Sequence, residues 1–206
     1  MNRLMELAVR ILCDSRPDIK TDGVFIFGQT SDNQMSVFKT AVRLIDKNKT
    51  NKVLLLKTPA KSGYPGFEVW KNELIQMGIP QDRIEGVQMA DSISLNTLTE
   101  SQALIAHCKN RAYNSIAISA APFHQIRSYM TVVTVLRELN SKLKVYSQPG
   151  FPLSWTENVK HSQGTLQGQR KDLILEEMKR IETYQKKGDL GSTDLVLDYL
   201  DTREDM

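Results

Sequence analysis

Cysteine is nearly absent: Cys13 and Cys108 are the only two in 206 residues, far apart and in no C-x-x-C arrangement. That pattern argues against a disulfide framework or a thiol-redox motif, and a reduced, intracellular thiol pair is the expectation. An excess of charge is missing too. Lys+Arg 27 against Asp+Glu 24 leaves +3, too little to argue for nucleic acid, and no basic run interleaved with aromatics marks a nucleic-acid groove. No apolar run has the length and purity of a membrane span. The opening MNRLMELAVRILCDSRP places Leu4, Leu7, Ala8, Ile11 and Leu12 at helical spacing but is broken by Arg3, Glu6 and Arg10. It therefore reads as an amphipathic helix, neither a span nor a signal segment, and the expected location is cytoplasmic. Several signatures of chemistry are lacking as well. There is no G-x-G-x-x-G after an apolar strand, no G-x-x-x-x-G-K-[ST] and no G-x-S-x-G. Neither cysteine stands where a nucleophile beside a histidine would, and no two of His107, Cys108, His124 and His161 have metal-ligand spacing, so no metal site is expected.

What is present is a regular alternation. Apolar residues make up 40 % of the chain, enough for one sizeable core. GVFIFG (23–28), KVLLLK (52–57), the weaker RIEGVQ (83–88), SIAIS (115–119) and KVYSQ (144–148) have strand length. Helical patterns follow over 35–47, 67–77, 97–111 and 122–139. Apolar strands alternating with amphipathic helices predict an α/β, Rossmann-like fold: a mainly parallel sheet of about five strands, in order 3-2-1-4-5, with helices on both faces. One domain is expected, with an N-terminal helix in 1–20, a Rossmann-like core over 22–150 and a C-terminal helical extension over 151–206. A helix over 167–187 and a short terminal helix are expected in that extension.

In such a sheet, ligands bind beyond the carboxyl ends of the strands, where helix N-termini also point. The residues after each strand are therefore the candidates. Gly28 and Gln29 follow the first, with Thr30 and Ser31; Lys61, Gly63, Gly66 and Glu68 follow the second; DSISLNTLTE follows the third, and Ser119 with AAPFHQIR the fourth. Pro122 suits a first helical turn, which puts His124 and Arg127 three apart on one face near the positive end. Arg127 can grip a phosphate or carboxylate with two parallel bonds, and His124 can transfer a proton. A half-exposed helix start with an incidental His and Arg fits the spacing as well. Thr97-x-x-Glu100 has the form of a capping box, which leaves Ser94 and Asn96 freer to face a ligand. Glu68 fits either a favourable helix-start charge or a base.

These segments, in this order from Asp22 to Gln148, resemble the YdcF/SanA/ElyC family. The resemblance is carried by GVFIFGQ, by LLLKTPAKSGYPGFE, by ELIQMGIPQDRIEGV, by SLNTLTE and by AISAAPFHQIRS. It implies a Rossmann-like fold and carries over Glu68, Ser94, Asn96, Thr97, Glu100, Ser119, His124 and Arg127. It also implies S-adenosylmethionine as a possible ligand. Two departures stand out: Thr58-Pro59 where the family has a Gly pair, and Lys39 as the only basic residue in MSVFKTA, where the family often has an early Arg. Three functional expectations follow. The first is binding of an anionic, nucleotide-like small molecule at the strand ends. The second is a hydrolase or transferase with His124, and Glu68 beside it, in general acid/base roles. The third is dimerisation or partner docking through KDLILEEMKRIETYQKK, apolar at Leu173, Ile174, Met178 and Ile181.

Overall fold

The structure is a computed structural model that describes residues 3–14, 19–89, 94–161 and 165–206. Five strands form one parallel sheet: β1 (Thr21–Ile26), β2 (Thr50–Lys57), β3 (Ile84–Gln88), β4 (Ser115–Ser119) and β5 (Lys144–Ser147), in the order β3-β2-β1-β4-β5. Each is fed by a helix: α1 (Arg3–Leu12), α2 (Ser31–Asp46), α3 (Phe67–Gln76), α4 (Thr97–Asn110) and α5 (Pro122–Glu138). This is the α/β arrangement and strand order that the alternating pattern predicts. The central strands are apolar on both sides, with Val24, Phe25, Ile26, Val53, Leu54, Leu55 and Ile116 through Ile118 all buried. Only helices on both faces can cover such strands. Right-handed crossovers assign α2 and α3 to one face and α4 and α5 to the other. The order reverses between β1 and β4, so the carboxyl ends of these two strands bound a crevice.

The helix α5 is wrapped on every side. All residues from 123 to 136 are buried, because α1, α4, α6 (Leu173–Lys187) and α7 (Thr193–Thr202) pack against it as well as β5. Its interior hydroxyls therefore turn back on the helix: Thr131 and Thr134 donate to the carbonyls of Arg127 and Met130, both at 2.8 Å. The chain's end is fastened to the far edge of the sheet. Arg203, itself buried, donates to both carboxylate oxygens of Asp14 (2.8 and 2.9 Å) and to the carbonyl of Val145 (2.9 Å).

Two expectations about the ends are corrected. The first helix occupies only Arg3–Leu12 of the 1–20 segment, parts of which (1–2 and 15–18) lie outside the described residues. The helix expected from 167 begins at Leu173, and before it stands a hairpin, β6 (Asn158–His161) with β7 (Leu166–Gln169). NVKH alternates exposed and buried residues, with Val159 and His161 inward. Arg170 closes this hairpin on α2, donating to Asn33 Oδ1 and to the Asp32 carbonyl at 3.0 Å each, and to the Ser154 carbonyl. Among the described residues, no helix is long and apolar enough to cross a membrane.

Candidate functional site

A cavity of about 270 Å³ opens at the reversal point. Its floor comes from the turn after β1 (Gly28, Gln29, Thr30) and from the first turns of α4 and α5, and Ser62 and Tyr64 reach it from the loop after β2. His161, Arg180 and Tyr184 complete it from the C-terminal segment. The structure thus brings together Gly28, Gln29, Asn96, Thr97, Glu100, His124 and Arg127 of the sequence candidates.

Three candidates fall elsewhere. Glu68 is exposed on the first turn of α3 and faces a separate groove with Thr58, Pro59 and Val69. Gly66 is the cause: its φ of 100° turns the chain, and a Cβ there would stand 2.7 Å from the Ala60 nitrogen, so Tyr64 reaches the crevice while Glu68 swings out. Ser119 ends β4 as a buried residue whose Oγ has no hydrogen-bond partner among the described residues, and it does not line the cavity. Ser94 is exposed, and its carbonyl accepts the Thr99 hydroxyl at 2.8 Å. Residues 91–93 of the same loop lie outside the described residues.

The cap of α4 is also one residue off the expected pair. Asn96 is the N-cap, its Oδ1 accepting from the Leu98 and Thr99 N–H groups at 3.0 Å, while Thr99 Oγ1 accepts the Asn96 N–H in return. Glu100 is thereby released from capping. Its Oε2 accepts the Gly28 N–H at 2.9 Å. Burial raises this carboxyl to about 7, against the pull of that N–H bond and of Arg127.

The centre of the site is a residue that sequence spacing does not point to. Glu177, fully buried on α6, accepts from Arg127 Nε at 2.7 Å and from Arg127 Nη2 at 3.3 Å. His124 Nδ1 lies 2.7 Å from its Oε2, His161 Nε2 lies 3.2 Å from its Oε1, and Arg180 donates to Oε1 at 3.3 Å. Burial alone would raise Glu177, but His124 and Arg127 outweigh it and hold the group well below the usual carboxylate range. Burial pushes His124 down to about 4, with Glu177 opposing and Arg127 reinforcing the drop. At neutral pH the centre is therefore a carboxylate, a neutral imidazole and two guanidinium groups. The available signal was an acid inside an apolar stripe: Leu173, Glu177 and Ile181 are the buried residues of α6, spaced four apart.

His161 ends β6 as a buried residue with its ring 5.4 Å from that of His124. Spacing along the chain gives no sign of this meeting. The ligand atoms of His124, His161 and Glu177 all lie within 4.8 Å of one another. A divalent cation nevertheless suits them poorly. The shared carboxylate is already claimed by two arginines, and the 2.7 Å His124–Glu177 separation is a hydrogen-bond length. Zinc ligands bonded at ~2.0–2.1 Å in a tetrahedron stand wider apart. The cluster fits a proton-sharing network better than a cation. No family model matches this chain, and no curated protein or solved structure is significantly similar to it.

Proposed function

We propose that the chain is a YdcF-like protein that binds an anionic small molecule, with a phosphate or similar group seated in the crevice. The reading rests on one observation above all: two guanidinium groups, Arg127 and Arg180, line the crevice and both reach the ionised carboxylate of Glu177. These guanidinium groups stand where α2, α4 and α5 begin, and helix N-termini add to their pull on an anion. A cavity of about 270 Å³ lies at the small end of ligand pockets. It suits a phosphorylated sugar or part of a mononucleotide, with S-adenosylmethionine as the larger candidate that the family resemblance suggests. Gln29, Asn96 and Thr97 would meet the uncharged portion. Dimerisation through α6 has less to stand on, since Leu173 and Ile181 pack inward and only Ile174 and Leu175 are left as exposed large apolar residues of that helix.

Thermal melting tests the reading. Inorganic phosphate, AMP, glucose 6-phosphate and S-adenosylmethionine are each titrated against the native protein. A ligand at a hundred times its Kd stabilises by about 2.7 kcal/mol, roughly 5–10 °C for a domain of this size. Arg180→Gln should weaken the response by about 10- to 100-fold in Kd, the worth of a charged hydrogen bond. Absence of any shift across the four ligands would overturn the proposal.

A further inference from the structure

The crevice holds two groups of opposite proton readiness, and anion binding alone uses neither. Two groups compete for His124 Nδ1: Glu177 Oε2, which only accepts, at 2.7 Å, and Arg127 Nη2, which only donates, at 3.2 Å. The shorter contact places the ring proton on Nδ1, Arg127 Nη2 donates to Glu177 Oε1 instead, and Nε2 keeps its lone pair. Nε2 has no hydrogen bond among the described residues, on a side chain that lines the crevice. Glu100 spends Oε2 on the Gly28 N–H, and its Oε1 has no such partner among the described residues in the same crevice. Burial moves the two in opposite senses, Glu100 up to about 7 and His124 down to about 4. Pairs separated in this way assign an acid and a base.

We infer that this crevice hydrolyses a phosphate ester, with His124 Nε2 as general base toward water and Glu100 as general acid toward the leaving oxygen. The inference rests on the anion-binding reading above. Water oxygen attacks phosphorus as its proton passes to Nε2. The bond from phosphorus to the ester oxygen breaks, and the Glu100 proton moves to that oxygen, releasing an alcohol and inorganic phosphate. His124 then loses its proton to solvent and Glu100 regains one, so water is the only co-reactant. Arg127 and Arg180 offset the charge of the remaining phosphate oxygens. The chemistry of both halves selects this substrate class: an alkoxide leaves poorly without an acid, and two guanidinium groups lining the crevice call for an anion. A neutral ester would use the first feature and leave the second idle. Glu177 is a positioning residue, holding the His124 ring in one tautomer.

The test compares two probes on the full chain: p-nitrophenyl phosphate, whose leaving group needs little protonation, and β-glycerol phosphate, whose alkoxide needs it. His124→Gln should slow both by ~10²–10⁴-fold. Glu100→Gln should slow β-glycerol phosphate at least about tenfold more than p-nitrophenyl phosphate. Glu177→Gln should lower kcat while KM holds or falls, since both arginines keep their charge; loose packing would raise KM instead. Wild-type protein supplies an independent reading if a variant fails to fold. Glu100 faces the Gly28 N–H, Arg127 and the Tyr64 ring, and His124 faces Glu177, His161 and Arg127. Turnover of β-glycerol phosphate should therefore decline as pH rises through about 7, and that of p-nitrophenyl phosphate should not. If phosphate raises the melting temperature and neither ester is cleaved, this inference is overturned and the binding proposal stands. If none of the four ligands gives a shift, the binding proposal goes first. Turnover that survives His124→Gln, or equal slowing of both probes in Glu100→Gln, also ends the inference.

Discussion

At the scale of single residues, buried charge dominates. Arg127 and Glu177 neutralise each other away from water, and removing one partner strands the other. Arg127→Met is expected to cost about 3–5 kcal/mol in urea denaturation, unlike a surface pair such as Lys179–Glu176, worth ~0–1 kcal/mol. Glu100 and His124 give stability opposite slopes with pH. The Glu100 pKa is raised on folding, so its contribution is complete below about 4.5 and lost as pH rises through about 7. The His124 pKa is depressed, so its contribution is complete above about 6.5 and lost as pH falls toward about 4. The two nearly cancel in between. Glu100→Gln keeps an acceptor for the Gly28 N–H and removes one slope, so its stability relative to wild type should climb by on the order of 3 kcal/mol from pH 4.5 to 8. Melting curves at several pH values check this. Spacing made His124 and Arg127 legible, because neighbours three apart on a helix meet by necessity. Glu177 lies 50 residues further on, and only tertiary packing brings it to them.

At the scale of elements, the strands were legible because parallel strands buried on both faces are nearly continuous apolar runs. The hairpin β6–β7 was not. Its strands are four residues each, with only Val159 and His161 fully inward, and LQGQ carries no apolar alternation. The loop after β2 escapes the sequence for a different reason: its direction depends on the positive φ of Gly66, which composition does not disclose. A similar close approach occurs after β5. A Cβ on Gly150 would stand 2.3 Å from Ser36 Oγ and 2.7 Å from the Ala120 carbonyl. Gly150→Ala should therefore push α2 from the β4–α5 turn and cost about 1–3 kcal/mol in urea denaturation.

At the scale of the whole molecule, the C-terminal segment is structural. It supplies Glu177 to the crevice and Arg203 to the sheet edge, and α7 covers α1 and α5. A chain shortened to residues 1–188 keeps the first and loses the second. Asp14 would then lose its guanidinium partner, and Tyr129 and Val145 would lose their cover. That truncation is expected to lose cooperative unfolding, as read by near-ultraviolet circular dichroism during a urea titration. Arg203→Met in the full chain should shift the midpoint downward by the equivalent of about 3–5 kcal/mol. A tail whose sole role was docking to a partner would leave both measurements unchanged.

Because the carboxylate at the heart of the crevice lies on α6, it reaches the ribosome exit long after β1 through β5. Domains fold as units, so the late arrival of α6 leaves Arg127 without its counter-ion until the whole domain closes. Sheet packing and pocket assembly are thus completed together, in one closing step that waits for α6.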